Sequence, residues 1–300
     1  MMKMKMTSIK AFGFVMIAAL LGACSSDDST TPQEDNNGRR MRQLTIQNVA
    51  MNTRAAINPS TYEATWETTD RPTYINLNAQ PELRYGTLTP SAAGASTTLT
   101  GSVYCTLGDD IAIVLPTVTP VLPSGEKAYY PINLSGQKGT LADIGARYHY
   151  IYGVGTVTST DGGTATGTIS NTKSLLSLCK FTFTTIDGSV NVKSVQINYK
   201  SEYTGNLIGY PQTGKVSLAN PANVSAEADK SPYSGPLTVT LDDVNAAGVV
   251  YVAMFPEADK QTFHFTVSDG TNTYTATKTA KMLAGKYYEV PVAVKPVAVN

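Results

Sequence analysis

From Leu44 to the C-terminus no long stretch repeats its apolar residues every three to four positions. Short alternating or β-branched runs recur instead between Gly, Pro, Asn and Asp. A chain without helical periodicity has no helix face to bury, so its core must come from strands. In the first half, strands are expected near Leu44–Val49, Tyr62–Trp66, Thr97–Cys105, Ile111–Leu115 and Arg147–Thr158. Pro116, Pro120 and Pro123 cannot sit inside a central strand and mark a loop or an edge. In the second half, Leu178 to Thr184 alternates, Asp187-Gly188 offers a turn, and Val190 to Ile197 supplies a return strand. Phe263, Phe265 and Val267 repeat the device around Asp269-Gly270, followed by Tyr274 and Ala276. Tyr288, Val290, Val292 and Val294 then place four apolar side chains on one strand face.

A Gly/Thr/Ser/Asn stretch at 164–173 follows the first group of strands and is the expected boundary between halves. Each half then has about 125 residues, inside the ordinary domain range. The expected fold is all-β, with two tandem Greek-key β-sandwich domains at residues 44–168 and 169–300. A single large barrel is the competing architecture, and no fixed-period repeat supports a solenoid.

Residues 1–23 read as a lipoprotein signal peptide. Lys3, Lys5 and Lys10 form a positive region, and Ala11 to Leu21 is a short apolar run. Leu21-Gly22-Ala23-Cys24 completes the pattern, with small residues before a cysteine that receives the lipid. The apolar run is too short for a membrane span, which needs about 20 residues. Acyl chains on Cys24, carrying palmitate, would then hold the mature chain to a membrane. Ser25-Ser26-Asp27-Asp28 resembles the acidic export signal of surface lipoproteins in Bacteroidetes, which would place the chain on the outer face of the outer membrane; the plainer reading is a solvated tether that clears the membrane. Residues 24–43 contain almost nothing to bury and read as a flexible tether. The tether ends in Arg39-Arg40-Met41-Arg42, either a solvated charge run or an exposed site for an Arg-specific protease.

Chemistry is sparse. The chain has 23 basic and 23 acidic residues, and no basic patch for nucleic acid. With the signal peptide removed, 20 basic and 23 acidic residues remain, a net charge of −3. The two histidines, His149 and His264, lie far apart, and no Cys/His spacing fits a metal. No G-x-S-x-G, P-loop, H-E-x-x-H or EF-hand pattern occurs, so no catalytic residue, cofactor or metal is expected. Gly153-Val154-Gly155 reads as a close backbone approach or a bulge. Asp109-Asp110 and Asp242-Asp243 read as turn or edge residues. Cys105 and Cys179 sit in strand-like runs, as buried thiols or as a disulfide. Trp66 with Tyr129, Tyr130, Tyr148, Tyr150 and Tyr152 could be sheet core or a sugar-stacking platform, core being the simpler reading.

The order of several short motifs resembles a known family. They are Leu178-Cys179-Lys180-Phe181-Thr182-Phe183, Val195-Gln196-Ile197, Val250 to Pro256, Phe263-His264-Phe265-Thr266-Val267, and Lys281 to Val290. In the first half, Tyr130-Pro131, Gly136-Gln137-Lys138-Gly139-Thr140 and the Tyr148-to-Tyr152 run join them. Together they resemble the fimbrillin-like proteins, the type V pilus subunit lipoproteins of Bacteroidales. The resemblance covers most of residues 44–300. It implies two transthyretin-like β-sandwiches, a surface fimbria that serves adhesion, and other fimbrial subunits as partners. It also implies assembly by donor-strand exchange, in which a protease removes the first strand and a neighbour's strand fills the slot. Candidate processing sites are Arg39, Arg40, Arg42 and Arg54, and the candidate donor strand carries Val297 and Val299. Cleavage after Arg54 would release the Leu44–Val49 strand, whereas cleavage after Arg42 would remove only the tether. Shaft, anchor and tip roles fit the sequence equally. The competing reading is a surface carbohydrate-binding lipoprotein with tandem sandwiches, which needs an exposed aromatic platform.

Cys24→Ala should block removal of the signal peptide and leave an unlipidated precursor. Normal maturation of that variant, with uptake of radioactive palmitate, would contradict the assignment.

Overall fold

The computed structural model describes residues 34–51, 56–57, 64–80, 84–122, 128–218, 224–229 and 235–298. Alternation makes the first strand. Arg42, Leu44 and Ile46 are buried on one face of β1 (Arg40–Ala50), with Gln43 and Gln47 exposed on the other. At Asn48 the backbone turns left-handed (φ 53°) and the register with its neighbour shifts. That bulge returns Val49 to the buried face.

Along the chain, β2 (Ala56–Ile57) and β3 (Ala64–Thr65) pair as a small ladder. Next come β4 (Thr73–Asn76), β5 (Tyr85–Thr87), β6 (Thr89–Pro90), β7 (Ser96–Cys105) and β8 (Asp110–Leu115). β9 (Tyr129–Asn133) precedes a helical turn, and β10 (Ile151–Asp161) and β11 (Thr164–Ser174) form a hairpin. Eight of these strands bond in the order β5-β4-β8-β10-β11-β1-β7-β6. β5 and β6 are parts of one extended run, which pairs first with β4 and then, past Leu88, with β7. The run therefore joins the two edges of the sheet, as in a barrel, and leaves little open edge. Leu44, Ile46, Leu88, Leu99, Ile111, Ile113 and Val157 belong to the buried cluster of this sheet. A Cβ on Gly155 would lie 1.5 Å from the Thr168 carbonyl oxygen, so the close approach expected of that glycine is real.

Two expectations for this half change. The 164–173 stretch, expected as the boundary between halves, is β11, hydrogen-bonded to β10 and β1 within the first sheet. Its small and hydroxylated residues let strands lie close, which composition alone cannot tell from a loop. Arg147 and Tyr148 are not strand residues either, because a turn at Leu141–Asp143 runs into a π-helical turn at Ile144–Tyr148. Thr140 caps it by accepting the Asp143 N–H at 3.1 Å.

The second half contains β12 (Ser177–Thr185), β13 (Gly188–Ser189), β14 (Val192–Lys200), β15 (Leu207–Gly209), β16 (Thr213–Ser217) and β17 (Ala226–Ala228). β18 (Leu237–Asn245), β19 (Val249–Met254), β20 (Glu257–Ser268), β21 (Thr273–Met282), β22 (Tyr287–Ala293) and β23 (Lys295–Pro296) complete it. β12 lies between β19 and the parallel β22, while β14 lies between β18 and β20. The two sheets meet through Phe181 and Phe183 of β12, whose rings lie edge-on to Phe265 of β20 at 4.9 and 5.8 Å. The β20–β21 hairpin forms around Asp269-Gly270 as expected. Around Asp187-Gly188 the hairpin forms only briefly, with Thr184 and Thr185 opposite Ser189 and Gly188 of β13, before the expected return strand crosses away. β12 and β14 belong to different sheets, because each carries one apolar face and the two faces bury against each other across the core.

The described residues pack as a single compact unit. One buried cluster runs from Ile75 to Val294, and β9 of the first half pairs with β16 of the second. Gln137 ties the halves most directly. It is fully buried: its Oε1 accepts the Ala253 N–H at 2.8 Å, and its Nε2 donates to the Ala253 carbonyl at 3.0 Å. Gln137→Met keeps the volume and strands both backbone groups, so it should cost about 2–4 kcal/mol of stability. Urea unfolding would check this, and a loss below about 0.5 kcal/mol, the range of a neutral surface change, would contradict it.

Candidate functional site

β1 is bonded on both flanks. It runs antiparallel to β7 from Arg40 opposite Cys105 to Ala50 opposite Ser96. It runs parallel to β11 from Gln43 opposite Thr164 to Ile46 opposite Gly167. Glycine at 167 lets the apolar face settle, since a Cβ there would stand 3.1 Å from the Thr156 carbonyl and 3.5 Å from Leu44 Cδ1. Thus the first described strand fills a slot between strands that come later, with Leu44, Ile46 and Val49 as its floor contacts.

Each arginine of the basic cluster is engaged by the fold. Arg39 forks onto Asp109, with Nε to Oδ2 at 2.9 Å and Nη2 to Oδ1 at 2.8 Å. The bond to that carboxylate raises the Arg39 pKa further above its ordinary value. Arg40 donates to the Gly162 carbonyl at 2.7 Å and lies 3.6 Å from Glu34. Arg42 is buried and donates to the carbonyls of Gly38 and Cys105. The tether reading therefore ends too late: residues 40–43 are strand, and the cluster is not an exposed, unfolded segment. Spacing hid this because the long aliphatic stems of arginine can line a strand end while the guanidinium finds carbonyls. Cys24, Arg54 and Val299 lie outside the described residues.

Asp109 sits in a turn, as expected, but its role as the partner of Arg39 was not legible in the sequence. It is buried in the turn between β7 and β8, where Oδ2 also accepts Asn76 Nδ2 at 2.8 Å and the Thr106 N–H at 3.0 Å. Its neighbour Asp110 is exposed and accepts the Thr156 hydroxyl at 3.0 Å. An adjacent Asp pair in a turn between apolar strands was the available signal.

At the other end of the chain, the Lys295-Pro296 break is itself paired. Lys295 and Pro296 lie opposite Thr275 and Tyr274 of β21, and the Val297 N–H donates to the Thr273 carbonyl at 2.8 Å. The Val297 side chain is exposed. The tail thus leaves the sheet of β22 and crosses to the edge of the other sheet.

The aromatic platform does not form. Trp66, Tyr130, Tyr148, Tyr150 and Tyr152 are buried, and of the six only Tyr129 is half-exposed, too little for a stacking surface. Two of them brace the segment before Gln137: the Tyr148 hydroxyl donates to the Ser135 carbonyl at 2.7 Å, and the Tyr150 hydroxyl accepts the Asn133 N–H at 3.1 Å. Cys105 and Cys179 are free thiols, and burial pushes their pKa values up to about 11 and about 12. Such thiols are almost wholly protonated at neutral pH and are poor nucleophiles. His149 is buried against the Ser174 hydroxyl at 2.9 Å, and His264 lies in β20, where burial lowers its pKa.

An Arg-specific protease needs both an extended backbone and a free guanidinium. Brief digestion of the native protein should therefore produce no new N-terminus at residue 40, 41 or 43, and unfolding in urea should expose all three. Mass spectrometry of the fragments would read this, and native cleavage at those bonds would contradict the arrangement.

No protein-family model and no curated protein sequence matches this chain. Solved structures do. A Bacteroides ovatus protein provisionally described as a cell adhesion protein superposes with a TM-score of 0.50 at 14% identity, covering 87% of this chain and 97% of its own. A Bacteroides uniformis protein described in the same words gives a TM-score of 0.50 at 13% identity, covering 88% and 98%. At these identities the likeness establishes a shared all-β fold.

Proposed function

We propose that this chain is a structural subunit of a surface fimbria that serves adhesion, as shaft, anchor or tip. It would be lipid-anchored through Cys24 to the outer membrane and joined to other fimbrial subunits by donor-strand exchange. The observation that carries the reading is the position of β1, the first described strand, bonded on both flanks inside a sheet of later strands. Cleavage after Arg54 would detach β1 from the rest of the chain, whereas cleavage after Arg42 would leave Gln43–Ala50 in the slot. The emptied slot would present unpaired N–H and C=O groups of β7 and β11 above an apolar floor. An alternating strand from another subunit matches such a slot, with main-chain bonds giving affinity and side chains giving register.

The tail around Val297 and Val299 is the proposed donor. To serve, it must leave the edge of β21, where Lys295, Pro296 and the Val297 N–H hold it. A two-residue ladder on an edge is a weak hold beside an 11-residue strand bonded on both sides. The fold shared with two proteins described as adhesion proteins supports the adhesive role. The carbohydrate-binding alternative loses its tyrosine platform to the core.

Deleting residues 296–300 should leave the monomer folded and abolish filament growth after Arg-specific proteolysis. Electron microscopy of the digested protein reads the outcome, and normal filaments from the truncated chain would exclude the tail as donor.

A further inference from the structure

We propose that the Arg39–Asp109 pair is a clasp that sets how readily β1 leaves its slot. The proposal rests on the reading of β1 as a displaceable strand and adds the element that controls the displacement.

β1 is held unequally along its length. Beyond Ile46 its ladder with β11 ends, and at Asn48 its ladder with β7 shifts register. Asn48 adopts φ 53°, a left-handed conformation uncommon for a residue other than glycine. The last residues are then held by neutral hydrogen bonds. Trp66 Nε1 donates to the Val49 carbonyl and Thr172 Oγ1 to the Ala50 carbonyl, both at 2.9 Å. The other end combines regular pairing on both flanks with the bidentate Arg39–Asp109 contact just before the strand. Charge-assisted bonds of this geometry are about twice as strong as neutral ones.

Asp109 is built to need that partner. It is 2% exposed, and the other donors to its carboxylate, Asn76 Nδ2 of β4 and the Thr106 N–H of the β7–β8 turn, stay behind. When Arg39 departs, a buried carboxylate is left without its cation, the costly half of breaking a buried pair. A strand freed at its Ala50 end therefore opens through the bulge first and halts at the clasp. Asp35, 3.6 Å from the Arg39 guanidinium and accepting the Arg39 N–H at 2.9 Å, travels with the departing segment and serves only to orient Arg39 toward Asp109.

The test is hydrogen exchange read by mass spectrometry on the full chain, comparing the wild type with Asp109→Asn and Arg39→Lys. Asp109→Asn should speed exchange of peptides from residues 40–47 about tenfold, and Arg39→Lys should do so less, because it keeps the charge and loses the fork. Peptides from residues 263–280 should change less than about twofold, since they share no partner with the clasp. Unchanged exchange of β1 in both variants, or an equal rise throughout the chain, would overturn the clasp. Arg-specific cleavage of the same proteins separates the two ideas. Faster loss of the N-terminal fragment from Asp109→Asn on size exclusion supports both. Accelerated exchange with no fragment released from any variant keeps the clasp and removes the displaceable strand.

Discussion

The second half of the molecule depends on a side-chain amide supplied by the first. β18 and β19 follow one another in sequence yet belong to different sheets, so their facing edges diverge. The segment around Gln137 lies between them. Its side chain presents a donor and an acceptor to Ala253 of β19, as a backbone amide would, and its carbonyl accepts the Thr240 N–H of β18 at 3.0 Å. Two residues on, the Gly139 carbonyl accepts the Tyr251 N–H at 2.9 Å. Gly139 has φ 73°, and a Cβ there would press to 2.9 Å from Val250 Cγ1, so the latch needs glycine for conformation and for space. Buried backbone edges must be paired, and here the pairing comes from more than 100 positions away in the chain.

This interlock explains which parts of the fold were legible. Where burial is decided by a strand and its immediate neighbour, alternation was enough: Leu44 and Ile46 share a face, and Phe263, Phe265 and Val267 turn inward opposite β21. Where burial depends on a distant partner, local pattern misled. Val195 and Ile197 alternate as a return strand should, but they face Phe181 across the core instead of lying beside it. Residues 164–173 have the composition of a loop and form a strand because β1 and β10 supply the bonds on either side. The motif Gly136-Gln137-Lys138-Gly139-Thr140 was visible as a family resemblance, while its purpose emerged only when β18 and β19 stood around it.

The arginines teach the same lesson about charge. A basic run after a polar segment is usually solvated, and nothing local distinguishes Arg42 from a surface residue. Its burial follows from parity: once Leu44 and Ile46 face inward, so must residue 42, and its guanidinium reaches the carbonyls of Gly38 and Cys105. Asp109 is likewise invisible as a partner until β1 lies against the turn between β7 and β8. The polar groups of this chain are thus spent largely on fixing strands, as with Glu257, which accepts the Tyr199 hydroxyl in the core of the second half.

The two-sided pairing of β1 and the one-sided pairing of β23 also answer differently to force. Tension applied along β1 loads its lateral bonds to β7 and β11 in shear, so many must fail together. Tension on the C-terminal tail reaches an edge strand with a single neighbour, which can peel one pair at a time. A strand with the geometry of β1 is therefore a mechanical bearing, and the tail is the compliant end that can be lifted away first.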